Sequence, residues 1–401
     1  MPLMSIVVPT HNRSKYAISC IESVLRFDDP DIQLVMTDTS TDRTLYDALH
    51  SDGSSLIHDP RFIYRKIDDL SNLTKNHNDA LALATGDYVC VIGDDDAITQ
   101  AAIDAARWAA RRQVPVVSQT VTATYAWPDF RSRMARGGHA ARLYVPRRSK
   151  VARWRDGAKD IKAALRRAFQ ATDGMPRCYH GIVRRDLLQQ VRQKTGAYFH
   201  GSSPDMSGAV AMACLVDRYC EVDMPLTIPG VSGGSNSGRS AMNTHKGALS
   251  SETQTSGFQE RGWSVGVPRF FAVETVWAHA GLETLESLHS VLIAEFNYAR
   301  LLALCTLRHP DFQSATQRAA QEAESALGRS LAEEIKQEIG IERRARRAYL
   351  LRRMMLPTAA GGRRHFNDLT TVAAASRRYE QYARERGFAF DLAAQQLDEL
   401  S

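Results

Sequence analysis

About the first 125 residues alternate short apolar, β-branched runs with segments of helical periodicity, and this alternation restricts the fold more than any other feature. Met4–Pro9 and Ile32–Thr37 have the character of strands buried on both faces. Between them, Tyr16–Phe27 spaces Ile18, Ile21, Val24 and Leu25 as one face of a helix. Phe62–Ile67 and Tyr88–Ile92 read as further strands. Leu45–Leu49, Leu73–Ala84 and Ala101–Arg112 read as helices, the second of them punctuated by Gly86. Parallel strands need a crossover between them, usually a helix, so this order predicts βαβ units. The expected fold class is α/β, a Rossmann-like, mainly parallel sheet with flanking helices.

The chain has 401 residues, 44% of them apolar, enough for two or three packed domains. The alternation breaks at Arg131–Arg167, which reads as an insertion, partly helical after Asp156. Gly181–Val191 restores it, and Pro204–Val216 is a helix of small residues. Val231–Ser251, rich in Ser, Gly and Asn, reads as a long flexible loop. From Pro268 the pattern is helical, in segments Phe270–Ala280, Leu285–Leu307, Phe312–Ile339 and Arg343–Leu356. The expected organisation is an α/β domain over 1–250, with a basic insertion at about 131–167, and a mainly helical region over 251–401.

The chain's 51 Lys and Arg against 45 Asp and Glu hide a local asymmetry. Thirteen of the basic residues, against two Asp, lie between Arg131 and Arg167, so the remainder is net acidic. Six Arg and no acid lie between Arg343 and Arg353, mixed with Tyr349, Leu350, Leu351, Met354 and Met355. These two clusters fit solvated faces, an anionic lipid surface or an anionic acceptor. Nucleic acid is not expected, because Tyr144 and Trp154 are the only aromatics in the first cluster. No apolar run approaches the ~20 residues of a membrane-crossing helix. The six cysteines form no C-x-x-C pair, and no leader is visible, so a reducing cytoplasm is the expected setting.

Ligands of parallel α/β sheets bind at the carboxyl ends of strands. Three polar clusters fall there: Thr10-His11-Asn12-Arg13, Thr37-Asp38-Thr39-Ser40-Thr41-Asp42 and Gly93-Asp94-Asp95-Asp96. Three adjacent carboxylates after a buried strand repel each other and lose hydration unless a cation compensates. Hard oxygen donors suit Mg²⁺ or Mn²⁺, commonly shared with a diphosphate. A solvated Asp-rich turn is the plain alternative.

Ser5–Arg13, Leu34–Asp42 and Thr85–Asp96, in this order and spacing, resemble family 2 glycosyltransferases of the GT-A fold. The resemblance covers roughly Met4–Gly234, with the insertion outside it. It implies an inverting, metal-dependent transferase that uses a nucleotide-diphospho-sugar, with a UDP-sugar as the expected donor. Pro9, Thr10, Asn12, Arg13, Asp38, Lys75 and Asp94 fall where relatives contact the nucleotide. Asp95 and Asp96 stand at the metal-binding D-x-D position, with Gly93 where many relatives place the first Asp. Asp205, behind Pro204, matches the general base that opens a helix. His245 stands where some GT-A enzymes close a loop to complete the metal shell. A solvated loop histidine is the alternative for His245, and helix capping for Asp205.

The implied acceptor is a glycan or lipid-linked glycan in bacterial capsule or lipopolysaccharide synthesis, at the cytoplasmic face of the inner membrane. The helical C-terminal region suits acceptor, membrane or a second subunit of a homo-oligomer. Two other readings stay open: a non-catalytic nucleotide-sugar or glycan-binding protein on the same fold, and a sugar nucleotidyltransferase. Gln259-Glu260-Arg261-Gly262-Trp263 is near a motif of membrane-embedded synthases but off by one in spacing; His11 and His77 read as walls of the nucleotide pocket, and His180, at a strand start on the acceptor side, reads as an acceptor contact or a structural residue.

Overall fold

The structure, a computed structural model, describes all residues except 1, 69–71, 121–122, 134–137, 148–150, 253, 259–261, 356–359 and 399–401. The first three residues of Gln259–Trp263 therefore lie outside the described residues. In chain order the opening half runs β1 (Met4–Thr10), α1 (Ser14–Leu25), β2 (Ile32–Asp38), α2 (Thr44–Leu49), β3 (Phe62–Lys66), α3 (Leu73–Ala82), β4 (Tyr88–Val91), β5 (Ala97–Ile98), α4 (Gln100–Arg112), β6 (Val116–Gln119) and β7 (Thr124–Ala126). Then come β8 (Arg142–Val145), β9 (Ala152–Asp156), α5 (Gly157–Arg166), β10 (Gly181–Arg184), α6 (Arg185–Thr195), α7 (Pro204–Leu215), β11 (Arg218–Val222), β12 (Thr227–Ile228) and β13 (Gly230–Val231). The remainder is α8 (Asn236–Ala241), β14 (Lys246–Gly247), β15 (Phe271–Ala272), α9 (Val273–Ser287), α10 (Tyr298–Arg308), α11 (Gln313–Leu327), α12 (Ala332–Met355), β16 (Arg364–Phe366), α13 (Val372–Glu385) and α14 (Phe390–Asp398).

The main sheet has eight strands in the order β3-β2-β1-β4-β10-β6-β11-β9. β3, β2, β1 and β4 are parallel, as are β6 and β11, while β10 and β9 run antiparallel to their neighbours. Both faces are covered. Ile6, Val8, Leu34 and Met36 pack toward Ile21, Val24 and Trp108. The alternate residues Val7, Val35, Val89 and Val91 pack toward Leu81, Leu188 and Met212. Burial on both faces is why these strands read as continuous apolar runs. The parallel register sets Thr10 opposite Asp38, so the β1 and β2 clusters share one edge.

The boundaries differ from expectation for local reasons. The third helix ends at Ala82, and Gly86 serves a different purpose. A β-carbon there would stand 2.7 Å from the Ser5 nitrogen, so Gly86 permits close approach to β1. The expected helix 312–339 is cut by Gly328 in the left-handed region (φ +65°). The expected helix 285–307 is interrupted before Asn297, whose side chain caps α10.

The Arg131–Arg167 segment is woven into the architecture. Its β9 closes the edge of the main sheet against β11, and its β8 joins a four-stranded sheet, β13-β7-β8-β16. The C-terminal region likewise divides. Helices α9 and α10 build a core with α5 and α7 through Leu165, Met206, Leu285 and Leu301. β16, α13 and α14 return to the first half: Ser19 accepts from the Ala373 amide, and Phe390 packs edge-on against Trp108. Structural contacts thus run across position 250.

Candidate functional site

The turn after β4 gathers the polar clusters. Asp94, Asp95 and Asp96 are all buried. Arg13, just past the end of β1, reaches Asp94 at 2.6 Å and Asp95 at 2.7 Å. Thr10, the last residue of β1, donates its hydroxyl to Asp94 (2.6 Å). Burial opposes the charge on Arg13, but Asp94 and Asp95 outweigh it and hold the guanidinium firmly protonated. Burial pushes Asp94 above the usual carboxylate range, against the pull of Arg13. Asp96 is pushed up further by burial and by Asp95, despite amides donated by Gly230 (2.6 Å) and Gly93 (2.5 Å).

A second strand system covers this turn. β12 pairs with β5, and the chain then passes over the triplet. Gly230 donates to Asp96, Ser232 donates to Asp95 (2.6 Å), and Trp127 donates its indole N–H to the Asp95 carbonyl (3.0 Å). His180 Nε2 stands 3.4 Å from Asp96, and its Nδ1 is 2.9 Å from the Thr227 hydroxyl. Burial lowers the His180 pKa to about 3, so the ring is neutral. The stretch expected to be a loose loop from Val231 therefore begins as a latch over the acids.

Gly93 has a steric explanation. A β-carbon there would lie 2.9 Å from an Asp96 oxygen, 3.0 Å from the Tyr179 hydroxyl and 3.2 Å from Asp95 Oδ1. The space an Asp would occupy at 93 is filled by Asp96 and Tyr179.

Asn12, in the left-handed region (φ +55°), joins the β1 and β2 loops: its amide donates to Ser40 (2.7 Å) and its side chain accepts from the Thr41 amide (2.8 Å). Pro9 and Asp38 are buried at the same edge. The Asp38 carboxylate accepts from Tyr64 and from the Ser40 amide, each at 2.8 Å. Asn76 of α3 ties the ends together by donating to the Thr10 carbonyl (3.0 Å) and accepting from Thr37 (2.6 Å). Next to Asn76 on α3, Lys75 pairs with Asp79 (2.8 Å) beside a cavity of about 450 Å³ lined by Asn72, Thr74, Asn78, Tyr198, Phe199 and Gly201 among others.

Asp205 opens α7 and is half-buried. It accepts from the Ser203 hydroxyl and from the Met206 amide. Burial raises its pKa, and those donors together with Arg177 partly offset the rise. Tyr179 connects this carboxylate with the triplet: its phenol feels the charges of Asp96, Asp95, Asp205 and Asp94. Tyr179, Ser232 and Gly230 are contributors that the sequence reading did not single out. The Ser/Gly-rich stretch downstream was their one signal, since small residues let backbone amides approach buried acids.

His245 is buried against Phe271 (ring centroids 4.5 Å apart), and neither ring nitrogen has a hydrogen-bond partner. Burial lowers its pKa to about 4. Among the described residues no three His, Cys, Asp or Glu side chains converge as a ready-made metal shell. His245 and the triplet are thus not brought together, and Arg13 fills the space between Asp94 and Asp95. The chemistry still fits a divalent cation: of three adjacent buried carboxylates, two share one guanidinium and the third has, among the described residues, no cationic partner, only the neutral His180 beside it.

The site is thus a mainly parallel α/β sheet with acids buried beyond the carboxyl end of a central strand. Residues 5–174 of the chain match the sequence profile of glycosyl transferase family 2. Over 95 residues it is 38% identical to the putative colanic acid biosynthesis glycosyl transferase WcaA of Escherichia coli K12, covering 24% of this chain and 33% of that protein. Over 105 residues it is 26% identical to glycosyltransferase GlyG of Streptococcus pneumoniae serotype 4, covering 25% of this chain and 33% of that protein. The matched stretch thus spans about a third of each curated relative. The crystal structure of S. aureus TarS 1–349 with UDP-GlcNAc aligns over 96% of this chain and 92% of that one, at 15% identity and a TM-score of 0.47. Among the described residues no helix is long and apolar enough to cross a membrane.

Proposed function

We propose that this chain is an inverting glycosyltransferase that moves a sugar from a nucleotide-diphospho-sugar, a UDP-sugar foremost, to a hydroxyl of a glycan or lipid-linked glycan. The observation that carries the reading is the buried carboxylate triplet at the end of β4, held by Arg13, with Asp205 at the start of α7 near enough for both to act on the Tyr179 phenol. Pro9, Thr10, Asn12, Asp38 and Lys75 form the nucleotide side. Asp95, with Asp94 or Asp96, would hold Mn²⁺ or Mg²⁺, which when bound offsets the charge of the diphosphate. His245 would have to move to join that shell.

Asp205 accepts the proton of the acceptor hydroxyl, and a raised pKa makes it a stronger base than an ordinary aspartate. The acceptor oxygen bonds to the anomeric carbon as the bond from that carbon to the diphosphate oxygen breaks on the opposite face. One base and one displacement give inversion. Tyr179 and neutral His180 line the floor without adding charge. With Gly93 explained by packing, the missing first Asp no longer favours a non-catalytic binding protein.

The E. coli relative's assignment to colanic acid biosynthesis supports a role in polysaccharide synthesis, and we place that role at the cytoplasmic face of the membrane. α12 is the element for that contact, ending in exposed Leu351, Met354 and Met355 behind a collar of arginines.

The test is turnover of UDP-sugars with Mn²⁺, alongside thermal shift. Asp95→Ala should abolish the metal-dependent shift given by the nucleotide. Asp205→Asn should keep that shift and lose about 10²–10⁴-fold in transfer. Full activity in Asp205→Asn would remove the base assignment.

A further inference from the structure

The two basic clusters of the sequence meet in space around the four-stranded sheet. Arg142, Arg353 and Arg363 all act on His139. On the other side of β16, Arg147, Arg364 and Arg386 line a concavity of about 340 Å³ with Tyr382. Three segments supply them: the end of β8, the start of β16 and the turn after α13.

Their backbone and ring contacts hold them in place without neutralising them. Arg147 donates to the Gly362 carbonyl (2.7 Å), Arg386 contacts the Arg147 carbonyl (3.4 Å), and Arg364 lies over the Tyr382 ring (5.0 Å). Tyr382 is itself fixed by its hydroxyl on the Pro146 carbonyl (2.8 Å). Among the described residues no carboxylate pairs with any of the three. Arg107, Arg155 and Arg300, by contrast, are each paired with an acid. Three guanidinium forks converging without an acid match the multiple oxygens of a phosphate.

We propose that Arg147, Arg364 and Arg386 form a binding cradle for a phosphate or diphosphate group, borne by the acceptor. The identity of the carrier rests on the transferase reading above; the anion site does not. The sheet supplies the link. β13 places Gly230 on Asp96, and β16 is three strands away, about 14 Å at the usual spacing. A phosphate held there leaves the rest of an acceptor a short reach from the reaction centre.

The probe is inorganic pyrophosphate, titrated calorimetrically in EDTA into the full chain and into the Arg364→Ala/Arg386→Ala double variant. Wild type should bind it saturably, at least ten-fold tighter than the double variant, with the Lys/Lys replacement in between. The nucleotide-dependent thermal shift with Mn²⁺ should be the same in both proteins, which shows that the variant is folded. Equal pyrophosphate affinity, or none in wild type, overturns the cradle. So does loss of anionic-vesicle binding in the double variant without any pyrophosphate binding, which would assign the arginines to a lipid surface. Pyrophosphate binding that depends on these arginines, in a chain that transfers no sugar, upholds the cradle and sinks the transferase reading instead.

Discussion

At the turn after β4, two of three buried carboxylates share one arginine; beside β16, three exposed arginines pair with no described carboxylate. The two regions lie at opposite ends of the sheet β13-β7-β8-β16. In the first, charge is buried and wrapped by Thr10, Ser232 and the amides of Gly93 and Gly230, so removing any partner leaves an ion without compensation. In the second, water already solvates the charges, so the fold has little stake in them. Buried charge is structural as well as chemical; exposed unpaired charge is free to serve a ligand.

The largest expected effect follows directly. Arg13→Ala strands Asp94 and Asp95, and breaking such a buried pair costs about 3–5 kcal/mol. Arg364→Ala should stay within about 0.5 kcal/mol, as for other surface changes. Urea unfolding in EDTA measures both. If Arg13→Ala costs no more than Arg364→Ala, the contrast between the two regions is lost.

A smaller effect sharpens the picture of the acidic turn. Gly93→Asp, which restores the D-x-D pattern, drives a β-carbon against Asp96 and Tyr179. Overpacking of this kind costs about 1–3 kcal/mol. A lowered Tm without gain in Mn²⁺ affinity is expected. Tighter metal binding with an unchanged Tm would mean that the turn can open.

The difference between the regions also explains what could be read in advance. β1, β2 and β4 were legible to within a residue or so at each end, because burial on both faces writes itself as apolar runs. The convergence of Thr10, Arg13 and Asp94–Asp96 followed, since parallel strands put their carboxyl ends at one edge. The latch was not legible. Gly230 and Ser232 act through a backbone amide and a hydroxyl, and pairing between β5 and β12 spans about 130 residues without a periodic signature. The return of β16 and α13 onto the first half was hidden for the same reason: Ser19 on the Ala373 amide is a contact that no local pattern encodes. Lys75 was placed near the base by resemblance alone, and the structure pairs it with Asp79 at the edge of a cavity.

The smallest effect separates chemistry from capping at Asp205. Burial lifts its pKa above the usual 3.8, and the Ser203 hydroxyl opposes that lift by donating to the ionised form. A base works only when deprotonated, so kcat should fall as pH drops through this raised pKa, and the acid limb should lie above that of an ordinary aspartate. Ser203→Ala removes a donor to the charged form, so the pKa rises further and the limb moves to higher pH. The plateau at higher pH should be little changed, because the carboxylate is ionised there in both proteins. Were Asp205 only a helix-opening residue, Ser203→Ala would shift Tm slightly and leave the pH profile of kcat where it was.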